Sequence, residues 1–98
     1  FSAKVAGLVF VDKGAKQALV LKKKSLLPKG IVKLRGAFAV GDTVSIRDAE
    51  NQEFARGLTG YSSQELTKIK GQKTDQIKAI LGYKYYDEVI HRDNLTIL

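Results

Sequence analysis

The sequence has no cysteine, no methionine and no tryptophan, and its one proline is Pro28. Without cysteine there is no disulfide framework, no thiolate zinc site and no thiol nucleophile, a composition that suits a reducing compartment. Histidine occurs once, at His91. A single imidazole with no cysteine beside it gives no expectation of a metal site or of a nucleophile and base pair. No apolar run approaches the roughly 20 residues that span a bilayer, and no basic-then-apolar leader is visible. A cytoplasmic location with no membrane partner is therefore expected. The chain starts at Phe1, which with the missing methionine gives the expectation of one domain, residues 1–98, belonging to a longer protein.

Negative charge is also missing over a long stretch. From Lys13 to Arg35 there are eight basic residues, Lys13, Lys16, Lys22, Lys23, Lys24, Lys29, Lys33 and Arg35, and no acid. Residues 1–49 carry ten Lys or Arg against three acids, and residues 50–98 carry seven of each, so the net +7 resides in the first half. This asymmetry suggests one electropositive face, suited to a polyanion or to an acidic patch on a partner. The competing reading is a solvated, lysine-rich surface.

What is present reads as a small mixed domain. Val5 to Val11 is nearly continuous apolar sequence, as in a strand covered on both faces, and Asp12 stands where it caps a following helix. Ala15, Ala18, Leu19 and Lys22 share one face of that helix, and Lys13, Lys16, Lys23 and Lys24 share an arc on another if it runs that far. Pro28 ends it. Ile31–Arg35, Thr43–Arg47 and Glu53–Thr59 read as strands, with Gly41-Asp42 and residues 48–52 as turns and Asn51 able to go left-handed. Gly57 inside a strand implies a bulge or a close backbone approach. Ser62 to Glu65 forms a capping-box pattern, Gly71 stops that helix, Thr74 caps the next, whose buried face is Ile77, Ile80 and Leu81, and Gly82 terminates it. Glu88–Arg92 and Leu95–Leu98 close the chain as strand material. The order β-α-β-β-β-α-α-β predicts a mixed α/β, β-rich sheet that curls toward a barrel with short flanking helices.

Motifs for catalysis fall short. His91-Arg92-Asp93 spells a kinase catalytic-loop triplet, but the asparagine that should follow is Leu98, and no glycine-rich phosphate loop accompanies it. A surface turn capped by Asp93 or Asn94 accounts for it better. Ser62 and Ser63 read as helix caps. Tyr83, Tyr85 and Tyr86 read as the edge of a core rather than as base-stacking rings. No catalytic residue is assigned.

Longer strings carry a resemblance. Val11-Asp12-Lys13-Gly14-Ala15, Ser25-Leu26-Leu27-Pro28-Lys29-Gly30, Gly41-Asp42-Thr43-Val44, Ala55-Arg56-Gly57, Ile80-Leu81-Gly82-Tyr83 and His91-Arg92-Asp93 together resemble a PUA domain. Within that group the likeness is to the domains at the C-terminal end of bacterial glutamate 5-kinases. Gln52 departs from the group, which often has a turn glycine there. The resemblance implies a pseudo-barrel with flanking helices and an upstream amino-acid kinase domain that holds ATP, magnesium and glutamate. That parent opens proline biosynthesis, is subject to proline feedback and forms homo-oligomers. The domain itself would then act in regulation and assembly. PUA domains of RNA-modifying enzymes bind RNA beside their first helix, which maps onto Lys13, Gly14, Lys16, Lys22, Lys23, Lys24, Lys29 and Arg35 as candidate RNA contacts. Gly14 would let a ligand backbone approach, or would serve the turn alone.

Overall fold

Five strands and three short α-helices follow the expected order in a computed structural model that describes residues 4–98. They are β1 (Gly7–Val11), α1 (Lys13–Leu21), β2 (Ile31–Arg35), β3 (Thr43–Arg47), β4 (Glu53–Leu58), α2 (Ser63–Ile69), α3 (Ile77–Leu81) and β5 (Leu95–Ile97). The expectations attached to Phe1 lie outside the described residues.

The strands form one mixed sheet in the order β2-β1-β3-β4-β5. β1 runs antiparallel to β2 and parallel to β3, so α1 and β2 make the crossover between the two parallel strands. Its unbroken apolar sequence follows from this inner position, with Val9, Phe10 and Val11 all buried. Leu19 of α1, Leu66 and Ile69 of α2 and Ile77 of α3 complete the core with Val44 and Ile46 of β3.

Local signals hold where they rest on backbone chemistry. The Asp12 carboxylate accepts the Ala15 amide at 2.7 Å and starts α1. Ser62 and Glu65 close a reciprocal capping box at the head of α2. Gly82, with φ +88°, ends α3. The 48–52 hairpin manages without a glycine at 52. Asn51 takes φ +63°, and the Asp48 carboxylate accepts the Glu50 and Gln52 amides at 3.0 Å each. Gly57 is a close approach, since a methyl there would lie 2.9 Å from the Asn94 carbonyl oxygen.

Five details differ from the sequence reading. α1 stops at Leu21, so Lys23 and Lys24 do not extend the helical arc of Lys13 and Lys16. The Lys22 and Lys24 amides both turn back to the Ala18 carbonyl, and Lys23 takes φ +52°. A non-glycine residue there costs on the order of 1–2 kcal/mol. Thr74 lies inside a short turn, Thr74–Gln76, and its hydroxyl donates to the Asp87 carbonyl rather than capping α3. Ile80 is 38% exposed, because α3 is too short to bury a full face. Glu88–Arg92 forms no strand, only an isolated bridge between Ile90 and Leu26, with Val89 and Ile90 buried behind it. The next turn, Arg92–Asn94, is capped by His91 Nδ1, which accepts the Asp93 amide at 3.1 Å, and not by Asp93 or Asn94.

Candidate functional site

The basic stretch wraps α1 and divides among three grooves. The first lies between the opening turns of α1 and the 24–30 loop, with a volume of about 290 Å³. Gly14, Ala15 and Ala18 line one wall, and Lys24, Leu27 and Lys29 line the other. Two glycines face each other across it with opposite requirements. A methyl at Gly30 would fall 2.5 Å from the Ala15 Cβ, so glycine is what allows the loop to close on the helix. A methyl at Gly14 would meet only the Asp12 carboxylate, at 3.5 Å. The fold makes no steric demand for glycine at 14, where it costs roughly 0.5–1 kcal/mol relative to alanine in a helix.

The second groove, about 600 Å³, has Lys13, Lys16, Val20 and Leu21 opposite Asp48 and Glu50. Lys16 is committed there: its Nζ lies 2.8 Å from the Asp48 carboxylate and 5.2 Å from the Phe54 ring centre. Hydrogen bonds from Lys16 and from the Gln52 amide hold the Asp48 carboxyl below its ordinary range. Arg56 does the same to Glu53, gripping it with two hydrogen bonds of 2.9 and 3.1 Å. Both folded pKa values are depressed, so their stabilisation is present above the usual carboxylate range and is lost as pH falls through the folded values. The melting temperature is therefore expected to hold from pH 7 to about 5 and to fall below about 4. Asp48→Asn should start lower and respond less steeply to acid. A profile equally steep in the variant would mean that the ion pair does not couple to folding.

The third groove, about 450 Å³, runs between the end of α1 and β5, with Lys23, Lys24 and Arg92 on its rim. Lys22 caps α1 and lines none of the three, while Arg35 lies on β2 opposite Leu8. Lys33 covers the Phe10 ring at 4.4 Å, a structural contact. Of the residues singled out from sequence, Gly14, Lys24 and Lys29 thus meet in one groove, Lys13 and Lys16 in the next, and Lys23 in the third. Sequence reasoning missed Arg92 as a member of the basic surface. Its amide donates to the Ser25 hydroxyl at 2.9 Å, a contact across 67 positions for which no local signal exists. No helix among the described residues is long and apolar enough to cross a membrane.

The first helix of this mixed sheet opens onto cation-lipped grooves. The family model described as PUA domain matches residues 7–81, and the chain belongs to that family. A glutamate 5-kinase of Caldanaerobacter subterraneus is 62% identical over all 98 residues of this chain, which cover 26% of that protein. A glutamate 5-kinase of Dictyoglomus thermophilum is 54% identical over the same 98 residues, again 26% of its length. The chain thus spans about a quarter of these curated relatives. Among solved structures, a PUA domain from Aeropyrum pernix in a tartrate complex aligns with a TM-score of 0.61 and 34% identity, covering 64% of this chain and 34% of that one. An H/ACA ribonucleoprotein bound to a substrate RNA containing 2'-deoxyuridine aligns with a TM-score of 0.54 and 30% identity, covering 62% and 19%.

Proposed function

We propose that this chain is the accessory PUA domain of a glutamate 5-kinase, acting on assembly and feedback while an upstream kinase domain of the same polypeptide performs the chemistry. The observation that supports this reading is the 62% identity that runs the full length of the chain. On this reading the parent is cytoplasmic and homo-oligomeric, transfers the γ-phosphoryl of ATP to the glutamate side chain with magnesium, and keeps ATP, magnesium, glutamate and proline in the upstream domain. Turnover tests the division of labour. An enzyme lacking the region equivalent to 1–98 should still form the acyl phosphate, and the 98-residue chain alone should form none. A folded truncated enzyme with no residual turnover would place part of the chemistry here.

A second reading is RNA binding by the first groove. It is favoured by Gly14, whose missing side chain the fold does not require and whose place beside Lys24 and Lys29 leaves room for a sugar-phosphate backbone. Lys13, Lys22, Lys23 and Arg35 would add field around it, whereas Lys16 is neutralised by Asp48. With three to five phosphate contacts, log K against log salt should have a slope of roughly −2 to −4 for single-stranded and roughly −3 to −5 for duplex RNA. Fluorescence anisotropy with labelled tRNA at about 50 and 200 mM salt reads this directly. Lys24→Glu with Lys29→Glu should weaken binding by about tenfold or more, since two attractions become repulsions. Binding that ignores both salt and the double variant would contradict an electrostatic RNA site.

A further inference from the structure

We infer that the groove between α1 and β5 receives an extended acidic peptide segment, which adds a strand to the free edge of the sheet at Ile97. Among the described residues, β5 is the last strand of the sheet and pairs only with β4. The Leu98 amide donates to the Phe54 carbonyl at 3.0 Å, and Arg56 stands opposite Thr96. Alternation along an antiparallel ladder then turns the Thr96 amide and carbonyl toward β4 and those of Ile97 outward. An outward amide and carbonyl on an edge strand form a template for another extended chain.

The groove beside this edge supplies side-chain chemistry that fits the same occupant. Its floor is apolar, with Val20 36% and Ile97 42% exposed and Leu95 half-buried. Its rim carries Lys23, Lys24 and Arg92 against a single carboxylate, Asp93, which lies 4.0 Å from the Arg92 guanidinium. Lys23 holds a left-handed backbone position that glycine fills at lower cost, so placing its side chain at this rim carries a backbone cost. An alternating strand presents one set of side chains to the apolar floor and places acids next to the three cations. RNA fits the groove less well, because no aromatic ring lines it for bases to stack on.

The test uses the 98-residue chain and a fluorescein-labelled heptapeptide alternating glutamate with valine. The same peptide with lysine for glutamate, and an oligouridylate of equal charge, serve as controls. The acidic peptide should bind where the lysine peptide does not, and of the three probes it alone should slow hydrogen exchange at the Ile97 amide. Ile97→Pro removes that amide on the outward side of an edge strand, where proline is tolerated, and leaves the charge unchanged. It should weaken the peptide by about tenfold, the loss of one backbone hydrogen bond. Lys23→Gly relieves the backbone and should melt higher while binding the peptide several-fold more weakly. Failure of the acidic peptide to bind, protection of the Ile97 amide by the oligouridylate, or wild-type affinity in folded Ile97→Pro would each overturn the inference. If Ile97→Pro does not fold, an unprotected Ile97 amide in the peptide-saturated wild-type chain does so.

Discussion

Replacing Gly30 with alanine is expected to destabilise the domain by about 2–4 kcal/mol, whereas the same change at Gly14 should be neutral or stabilising by up to about 1 kcal/mol. Each substitution adds one methyl to the same groove. At Gly30 it would fall 2.5 Å from the Ala15 Cβ, with the Ala15 Cα 3.7 Å away. The loop cannot simply retreat. The Gly30 carbonyl accepts the Asp12 amide at 3.0 Å, and Pro28 is buried against the body of the domain. Opening the loop would strain the cap of α1 and the entry to β2 together. At Gly14 the methyl meets nothing closer than 3.5 Å and gains helix propensity. For a domain of this size the Gly30 change corresponds to a fall in melting temperature of about 10–20 °C. Thermal unfolding followed by circular dichroism would show it. Equal effects at the two positions would remove the reason for treating Gly14 as a ligand-facing residue.

Tyr61→Phe is the second large effect, at about 2–3 kcal/mol. Tyr61 has no exposed surface, and its hydroxyl is a three-way junction. It donates to the Tyr86 carbonyl at 2.5 Å and accepts the Tyr85 and Tyr86 amides at 3.1 and 2.9 Å. The ring stacks on Tyr85 at 5.4 Å and meets Tyr86 edge-on at 6.4 Å. Burial alone does not hold this segment, since Tyr83, Tyr85 and Tyr86 are 41%, 53% and 55% exposed. Removing one oxygen strands two amides and a carbonyl at once. Chemical denaturation should report the loss, and the Tyr85 and Tyr86 amides should exchange faster with solvent. A loss below about 0.5 kcal/mol would show that water takes over the junction.

These two cases mark the boundary of what the sequence displays. The run in β1, the Asp12 cap, the Ser62–Glu65 box and the Gly82 terminator are legible because each is settled within a few residues by backbone chemistry. The Tyr61 junction is not, because its partners lie 24 and 25 positions away and three neighbouring tyrosines look like an ordinary core edge. The end of α1 was hidden by its residue type. Lysine at 23 reads as continuing a helix, and nothing local announces that it goes left-handed. Strand-like sequence at 88–92 was misleading for a related reason, since Val89 and Ile90 are apolar for burial and not for a ladder.

The candidate site was half legible. Acid-free sequence from Lys13 to Arg35 marks the basic region, but a count along the chain cannot divide it among grooves. Lys24 and Lys29 face Gly14 only because the 24–30 loop folds back onto α1. Lys16 and Lys33 leave the pool of free cations for Asp48 and for the Phe10 ring, contacts that depend on tertiary packing. Arg92 joins the basic surface from the opposite end of the sequence, with Asp93 4.0 Å from its guanidinium.

The accessory role is tested most directly in the whole kinase, by light scattering for mass and a proline titration of its activity, with and without the region equivalent to residues 1–98. A changed mass or a shifted proline response, in an enzyme that still turns over, is the expected result. Two enzymes of the same mass and stability, inhibited alike by proline, would contradict an assembly and feedback role for this domain.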